Sequence, residues 1–383
     1  MPVPFLDLKT QYNQIKDEIG KELSEVLDTC YYVLGPQVAS FEEKFAEIAG
    51  TKYCIAVSSG TAAVHIMIWA GDLQPGSGII VPPNTFTAST EGIVLAGHVP
   101  VFADVDKDTL NLSPEKVQSF LEYCSSGGKP IDPKTGAEIR GILAVDLYGQ
   151  PAAMPEIEKI SEQYGLMLFE DACQAHNASR DGRSAGSFGT AAAFSFYPGK
   201  NLGAFGEGGA VTTNSEDIAV RVRTLRDHGS REKYHYDFIG HNYRMSAFQG
   251  AVLGVKSKYI SQWNDRRKEA AKRYNKLLSG LPLVLPVEDG DVRHVYHLYA
   301  MHTPERDDLR EFLSHRDVAS GLHYPLPLHT QKAYSYLGYE AGDFPISEWN
   351  SSCNLTLPMF PDITEDQQVI VTDAVRSYFS KND

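Results

Sequence analysis

Lys200 stands in the glycine-rich run Phe194-Ser-Phe-Tyr-Pro-Gly-Lys-Asn-Leu-Gly-Ala-Phe-Gly-Glu-Gly-Gly209, directly after an apolar, strand-like stretch. Pro198, Gly199 and Gly203 let the backbone bend sharply there and approach a ligand closely, since glycine lacks a Cβ and tolerates positive φ. A lysine amine in such a place can condense with a carbonyl group or carry protons. Most turn lysines are instead solvated surface charges. The run is no Walker loop: Asn201 follows the lysine where Ser or Thr is required, and Phe194 occupies the position of the first glycine.

Two other segments could serve such a lysine. Ser58-Ser-Gly60-Thr61 closes a short apolar strand and opens a helix, so the amides of Gly60 and Thr61 point out of a helix N-terminus, a ready site for a phosphate. The same pattern also describes an ordinary Ser or Thr helix cap. Asp171, in Glu170-Asp-Ala-Cys-Gln174, follows the strand Leu166 to Phe169 at its carboxyl end, where open α/β sheets bind ligands. A carboxylate there can pair with a pyridinium nitrogen, or it can cap a helix. Phe86, in Pro82-Pro-Asn-Thr-Phe86, ends another strand and can stack on a ring or fill a core. Together these are the parts that pyridoxal phosphate requires.

The elements that must position them alternate. Apolar runs at Tyr53–Val57, Gly78–Val81, Val99–Ala103, Ile139–Val145, Leu166–Phe169 and Ala191–Phe196 are separated by helical segments. This pattern predicts a large three-layer α/β/α domain with a mostly parallel sheet, and Gly208–Thr213 can add a strand. Residues 10–30 have the spacing of an amphipathic helix. A long polar helix is predicted from Met245 to Leu278, with Lys256, Arg266, Arg267 and Lys268 on a solvated face. Beyond it, Val295–Met301, Glu305–Ser314 and Thr364–Phe379 suggest a smaller C-terminal α+β domain. The length of 383 residues accommodates both, divided as 1–250 and 251–383.

The net charge of −14, without a block of like charges, argues against nucleic-acid binding. Five cysteines share no C-x-x-C spacing, which argues against a disulfide framework and a zinc site. The N-terminus has no signal-peptide pattern and no apolar run reaches membrane-spanning length, so a soluble cytoplasmic protein without a metal is expected.

The ordered set Phe5-Leu-Asp-Leu, Leu34-Gly-Pro, Ser59-Gly-Thr61, Val101-Phe-Ala-Asp-Val-Asp106, Leu147-Tyr-Gly-Gln150, Glu170-Asp-Ala-Cys-Gln-Ala-His176, Gly186-Ser-Phe-Gly189, Ser195 to Gly203, Gly240-His-Asn-Tyr-Arg244 and His323-Tyr-Pro325 resembles the DegT/StrS family of nucleotide-sugar aminotransferases. That resemblance runs nearly end to end and implies the pyridoxal phosphate transferase fold, type I. It further implies that Lys200 carries pyridoxal phosphate (PLP) as an internal aldimine, with the amine form (PMP) arising during turnover. Asp171 would pair with the ring nitrogen, Gln174 lie over the ring or against its oxygen, and Phe86 stack. Gly60, Thr61 and Ser195 would hold the phosphate, joined by Asn242 from the other subunit of a homodimer. Glutamate and a nucleotide-linked keto sugar are the implied substrates. A cyclitol aminotransferase, a sugar dehydratase of the same family and a non-catalytic sugar-binding regulator are the competing readings. In the best-known dehydratases His replaces the lysine.

The chain departs from the family pattern at three places. The turn-rich segment 125–138 is longer than usual, with a hairpin tip at Asp132-Pro-Lys-Thr-Gly136. Asp146 stands where many relatives carry His, and Cys173 where many carry Ala. His176 and His228 are expected to be structural histidines. In Leu322-His-Tyr-Pro-Leu-Pro-Leu-His329 the prolines stiffen an extended run, so His323, Tyr324 and His329 either edge the substrate pocket or lie on a surface β-edge.

Overall fold

Short apolar runs do form strands, and the intervening segments helices, in a computed structural model that describes residues 2–125 and 128–380. Helices α1 (Leu8–Thr29) and α2 (Pro36–Ala49) lead into β1 (Tyr53–Val57), α3 (Gly60–Ala70), β2 (Gly78–Val81), α4 (Thr87–Leu95) and β3 (Val99–Phe102). Next come α5 (Pro114–Cys124), β4 (Ile139–Val145), α6 (Met154–Tyr164) and β5 (Met167–Asp171). A small hairpin of β6 (Ser179–Arg180) and β7 (Arg183–Ser184) precedes β8 (Ala191–Ser195) and β9 (Gly209–Thr213). Helix α7 (Glu216–Arg226) is followed by the hairpin β10 (Ser230–Glu232) and β11 (His235–Tyr236), then α8 (Ala247–Lys256) and α9 (Ile260–Leu278). The C-terminal part contains β12 (Val292–Arg293), β13 (Tyr299–His302), α10 (Arg306–Ser314), α11 (Pro345–Cys353), β14 (Asn354–Leu357) and α12 (Glu365–Phe379).

The central sheet has the order β1-β9-β8-β5-β4-β2-β3. It is parallel except for β9, which runs against both β1 and β8. Alternation along each strand sorts the side chains onto two faces. On one, Phe169 of β5 and Ile55 of β1 join Met67 of α3 and Val222 of α7. On the other, Leu168 meets Val117 of α5 and Ile157 of α6, while Phe194 meets Phe45 of α2. Three layers result. The register sets Val145 opposite Asp171, Asp171 opposite Ala193, Ser195 opposite Gly209 and Gly209 opposite Val57, so the segments expected to do chemistry leave one edge of the sheet.

A second core gathers the latter half of α9 (Ala270, Tyr274, Leu278) with β13, β14, α10 and α12, and it takes in Val3 from the N-terminus. The earlier half of α9, Ile260 and Trp263, packs against the large unit. One helix thus belongs to both cores.

Three expectations change. The single polar helix 245–278 is two helices, α8 and α9, separated at residues 257–259. Its cations are not all solvated: Lys256 and Arg267 are buried. The Lys256 Nζ donates to the Gly203 carbonyl at 2.6 Å, and Arg267 donates to the carbonyls of Tyr296 and Met359 at 3.2 and 3.0 Å. Irregular loops leave buried carbonyls that no ladder satisfies, and these two cations satisfy them. Finally, strand β13 begins only at Tyr299, because the preceding residues turn to meet Gly149 and Tyr148.

Within segment 125–138, residues 131–138 form a hairpin in which Ile131 bridges Glu138 and the Asp132 carboxylate accepts from the N–H and hydroxyl of Thr135. Ser126 and Gly127 lie outside the described residues. The tip reaches the C-terminal part, where Lys134 pairs with Asp343 at 2.7 Å. Among the described residues no helix is long and apolar enough to cross a membrane, and no group of three or more His, Cys, Asp or Glu could hold a metal ion.

Candidate active site

The turn from β1 into α3 opens a helix N-terminus at the sheet edge. Ser59 caps the helix by accepting from the Ala62 N–H at 3.1 Å, leaving the amides of Gly60 and Thr61 at the open end of the first turn. Glycine is required here for space. A Cβ on Gly60 would collide with the Ser195 side chain, lying 2.7 Å from its Oγ, and one on Gly209 would collide with the Ser59 carbonyl. The loop is therefore pressed against the ends of β8 and β9, which brings Ser195 onto Gly60.

Asp171, buried at the end of β5, has both carboxylate oxygens engaged. Its Oδ2 accepts from the Ser89 hydroxyl at 2.6 Å and its Oδ1 from the Cys173 N–H at 3.2 Å. It is a strand-end carboxylate and not a helix cap. Gln174 spans the cleft: its Oε1 accepts from the Tyr148 N–H at 2.6 Å and its Nε2 donates to the Tyr324 hydroxyl at 3.1 Å. The Phe86 ring is 53% exposed and sits 5.7 Å from the ring of Tyr324, so it presents a free face.

The Lys200 loop is tightly made. Lys200 N–H donates to the Tyr197 carbonyl at 2.8 Å, a Cβ on Gly203 would collide with the Pro198 carbonyl, and Lys256 clasps Gly203 from α8. Lys200 is half-buried, with enough protein around its amine to desolvate it. Burial lowers its pKa from the ordinary lysine value, partly opposed by the negative charges available at Cys173 and Asp171. Among the described residues the amine has no hydrogen-bond or ion-pair partner. An amine without a partner, and desolvated enough to release its proton more readily, is free to react.

Three histidines surround it. Burial first, and the Lys200 charge second, push His176 down to about 3, His323 down to about 4 and His297 well below the ordinary value. They are neutral at physiological pH. His176 is structural, its Nε2 bonding the Ser195 carbonyl at 2.8 Å, and His228 is exposed. His297 bonds Asn201, next to the lysine, at 3.2 Å. Sequence reading passed over Ser89, Tyr148 and His297. Tyr148 lies inside a quoted motif and Ser89 in the first turn after a strand end, which were the available signals; for His297 there was none.

The three C-terminal residues separate. Tyr324 meets Gln174 and Phe86, and His323 lies within electrostatic reach of Lys200 while its Nδ1 bonds the Thr356 hydroxyl at 2.9 Å. His329 is turned away into the core, its Nε2 3.0 Å from Glu348 and its ring beside Phe102 and Phe344. The extended run bends at Leu328–Thr330 into a 3-10 turn, and that bend carries His329 away from the cleft. Asn242 is exposed, its Oδ1 accepting from Arg244 Nε at 3.0 Å. Its neighbour Tyr243 accepts from the Ser58 N–H at 2.8 Å, so this segment runs beside the turn into α3 of its own chain.

A partnerless amine, a fixed carboxylate and an open helix N-terminus thus meet at one edge of the sheet in a three-layer α/β fold. The chain belongs to the DegT/DnrJ/EryC1/StrS aminotransferase family, which matches residues 13–376. It is 38% identical to a pleiotropic regulatory protein of Geobacillus stearothermophilus over 99% of each chain. It is 38% identical to the dTDP-3-amino-3,4,6-trideoxy-alpha-D-glucose transaminase of Streptomyces venezuelae, over 100% of this chain and 97% of that one. Among solved structures, S. venezuelae DesV in complex with a ketimine intermediate superposes with a TM-score of 0.93 at 38% identity, covering 98% of both chains.

Proposed function

We propose that this protein transfers an amino group from L-glutamate to a keto group of a nucleotide-linked sugar, using pyridoxal phosphate held covalently through Lys200 Nζ and its amine form, PMP, during turnover. The observation that carries this reading is the partnerless, partly desolvated Lys200 amine within electrostatic reach of Asp171, at the sheet edge where Gly60 and Ser195 meet. The transaminase name of the Streptomyces venezuelae relative supports the sugar class. The residues present fit the cofactor, since an anion cradle, a fixed carboxylate, a free aromatic face and a free amine occur together. When bound, that group supplies an electron sink and a place to store the amino group.

The chain's own residues then have distinct tasks. Gly60 and Thr61 amides with the Ser195 hydroxyl bind the phosphate. Asp171, held by Ser89 and the Cys173 amide, keeps a proton on the ring nitrogen, while Phe86 and Gln174 fix the ring between them. Lys200 takes a proton from the substrate carbon and returns one in each half of the reaction, a task suited by its lowered pKa, which enlarges the neutral fraction. Tyr324 and His323 border the substrate side.

We also propose a homodimer in which Asn242 completes the phosphate site of the neighbouring chain. Its segment lies beside its own cradle and carries exposed apolar residues, with Ile239 at 85% exposure, so a nearby two-fold axis brings each cradle to the other chain's Asn242. The five cysteines are free, in keeping with a cytoplasmic enzyme.

The test is spectroscopic. Purified protein reconstituted with pyridoxal phosphate should be yellow and bleach on adding glutamate, and mass spectrometry on a panel of 3-keto and 4-keto nucleotide sugars should then find one aminated. A coloured protein that glutamate leaves unchanged speaks against amino transfer.

A further inference from the structure

Directly behind Asp171 lie two carboxyl groups that the proposed reaction does not use. Asp146 follows β4 and Glu170 precedes Asp171 on β5, and both are fully buried. The Asp146 N–H donates to the main-chain oxygen of Asp171 at 3.0 Å, extending the β4–β5 ladder to the site.

Their hydrogen bonds locate a proton. Both oxygens of Glu170 accept backbone N–H groups, from Gly186 at 2.9 Å and from Phe188 at 3.2 Å. Asp146 Oδ1 accepts from the Ala152 N–H at 2.8 Å, whereas its buried Oδ2 has no donor. Ala144 stands opposite Glu170 in the β4–β5 register, so Asp146, two residues further on, presents its carboxyl on the same face as Glu170, and the two interact. An orphaned oxygen facing a carboxylate in a dry site is satisfied only by a proton between them, and two such neighbours cannot both ionise. We propose that Asp146 and Glu170 share one proton and act as a positioning pair that sets the Asp171 carboxylate.

The other charged or titratable groups around the pair are Asp171 at the end of β5, Cys173 just after it and Arg180 on β6, with Lys200 beyond Cys173. Arg180 donates to the Pro151 carbonyl at 3.2 Å, beside Ala152, and pairs with Asp289 at 3.0 Å, and its charge opposes the effect of burial on Asp146. Burial pushes Asp146 up to about 7 and Glu170 well above the carboxylate range. A carboxyl raised in the folded state contributes stability that is complete below its unfolded value and is lost as pH rises toward the raised one. The pair should therefore weaken between about pH 4 and pH 7, with the loss complete in mildly alkaline solution.

Asp146→Asn tests the pair directly. Its amide can donate to Glu170 and its oxygen accept from Ala152, but it has no proton to lose. Thermal melts of the full-length protein without added cofactor, from pH 5 to 9, should show the variant gaining on wild type by roughly 2–4 °C as pH rises. Parallel curves overturn proton sharing. The positioning role rests on the proposed cofactor site and is read separately. The pH midpoint of the visible band of bound pyridoxal phosphate should move by about half a unit or more in Asp146→Asn. Asp146→Ala, which strips both contacts, should lower cofactor affinity about tenfold at pH 7, with Asp146→Asn retaining it. An unmoved midpoint together with full affinity in Asp146→Ala overturns the positioning role. Should wild type bind no pyridoxal phosphate, the functional reading fails while the melts still decide proton sharing.

Discussion

The hydroxyl of Ser89 donates to Oδ2 of Asp171 at 2.6 Å, joining the first turn of α4 to the end of β5 across 82 positions of sequence. The bond is charge-assisted and buried, so it fixes the direction in which the carboxylate faces. Ser89→Ala leaves that oxygen short of a donor at a cost of about 1–2 kcal/mol. Pyridoxal phosphate affinity should fall about five- to thirtyfold, measured by absorbance titration of the apoprotein. Unchanged affinity would detach Ser89 from the cofactor site.

Gly60→Ala tests the cradle by steric means. The added methyl would overlap the Ser195 side chain, and since that serine is seated on β8 the α3 N-terminus must shift. A loss of about 1–3 kcal/mol in stability is expected, together with weakened binding of inorganic phosphate to the apoprotein. Retained phosphate competition against the cofactor would place the anion site elsewhere.

Much of this was legible in the chain. Strands β1, β2 and β4 were read to the residue, because each is a short apolar run between polar turns. Gly60, Asp171 and Lys200 stood out because strand ends in a parallel sheet converge on one edge. The Ser89–Asp171 bond was not legible, since nothing local marks a serine whose partner lies in another strand. Lys256 and Arg267 looked solvated because a cation on a polar helix carries no sign of the loop carbonyl it will meet. No Pro or Gly marks the break after α8, which is set by tertiary packing of the two helices on different partners.

Lys256 holds the Lys200 loop from behind. Lys256→Met removes the donor to the Gly203 carbonyl and should cost about 1–3 kcal/mol. Burial lowers the Lys256 pKa to about 8 from the usual 10.5. The folded state therefore releases this proton before the unfolded chain does, and the stability difference between wild type and variant should grow as pH rises from 8 toward 10.5. Denaturant melts at pH 7.5 and 9.5 check the sign; a difference that shrinks with pH contradicts it.

Shared sites make a prediction about mixed subunits. Lys200→Ala and Asn242→Ala chains, each nearly inactive alone, should recover activity toward half of the wild-type dimer's value after subunit exchange. One site of the mixed dimer then carries both lesions and the other neither. No recovery in demonstrated heterodimers would put Asn242 in its own chain's site or outside the cofactor site.

The central claim is that Lys200 is the residue that carries the cofactor. Sodium borohydride turns a reversible lysine–cofactor link into a permanent one, so the protein reconstituted with pyridoxal phosphate can be reduced, digested and mapped by mass spectrometry. The label is predicted on the peptide containing Lys200 and absent from Lys200→Ala treated alike. A label on another lysine, or a Lys200→Ala protein that retains both label and turnover, would contradict the account.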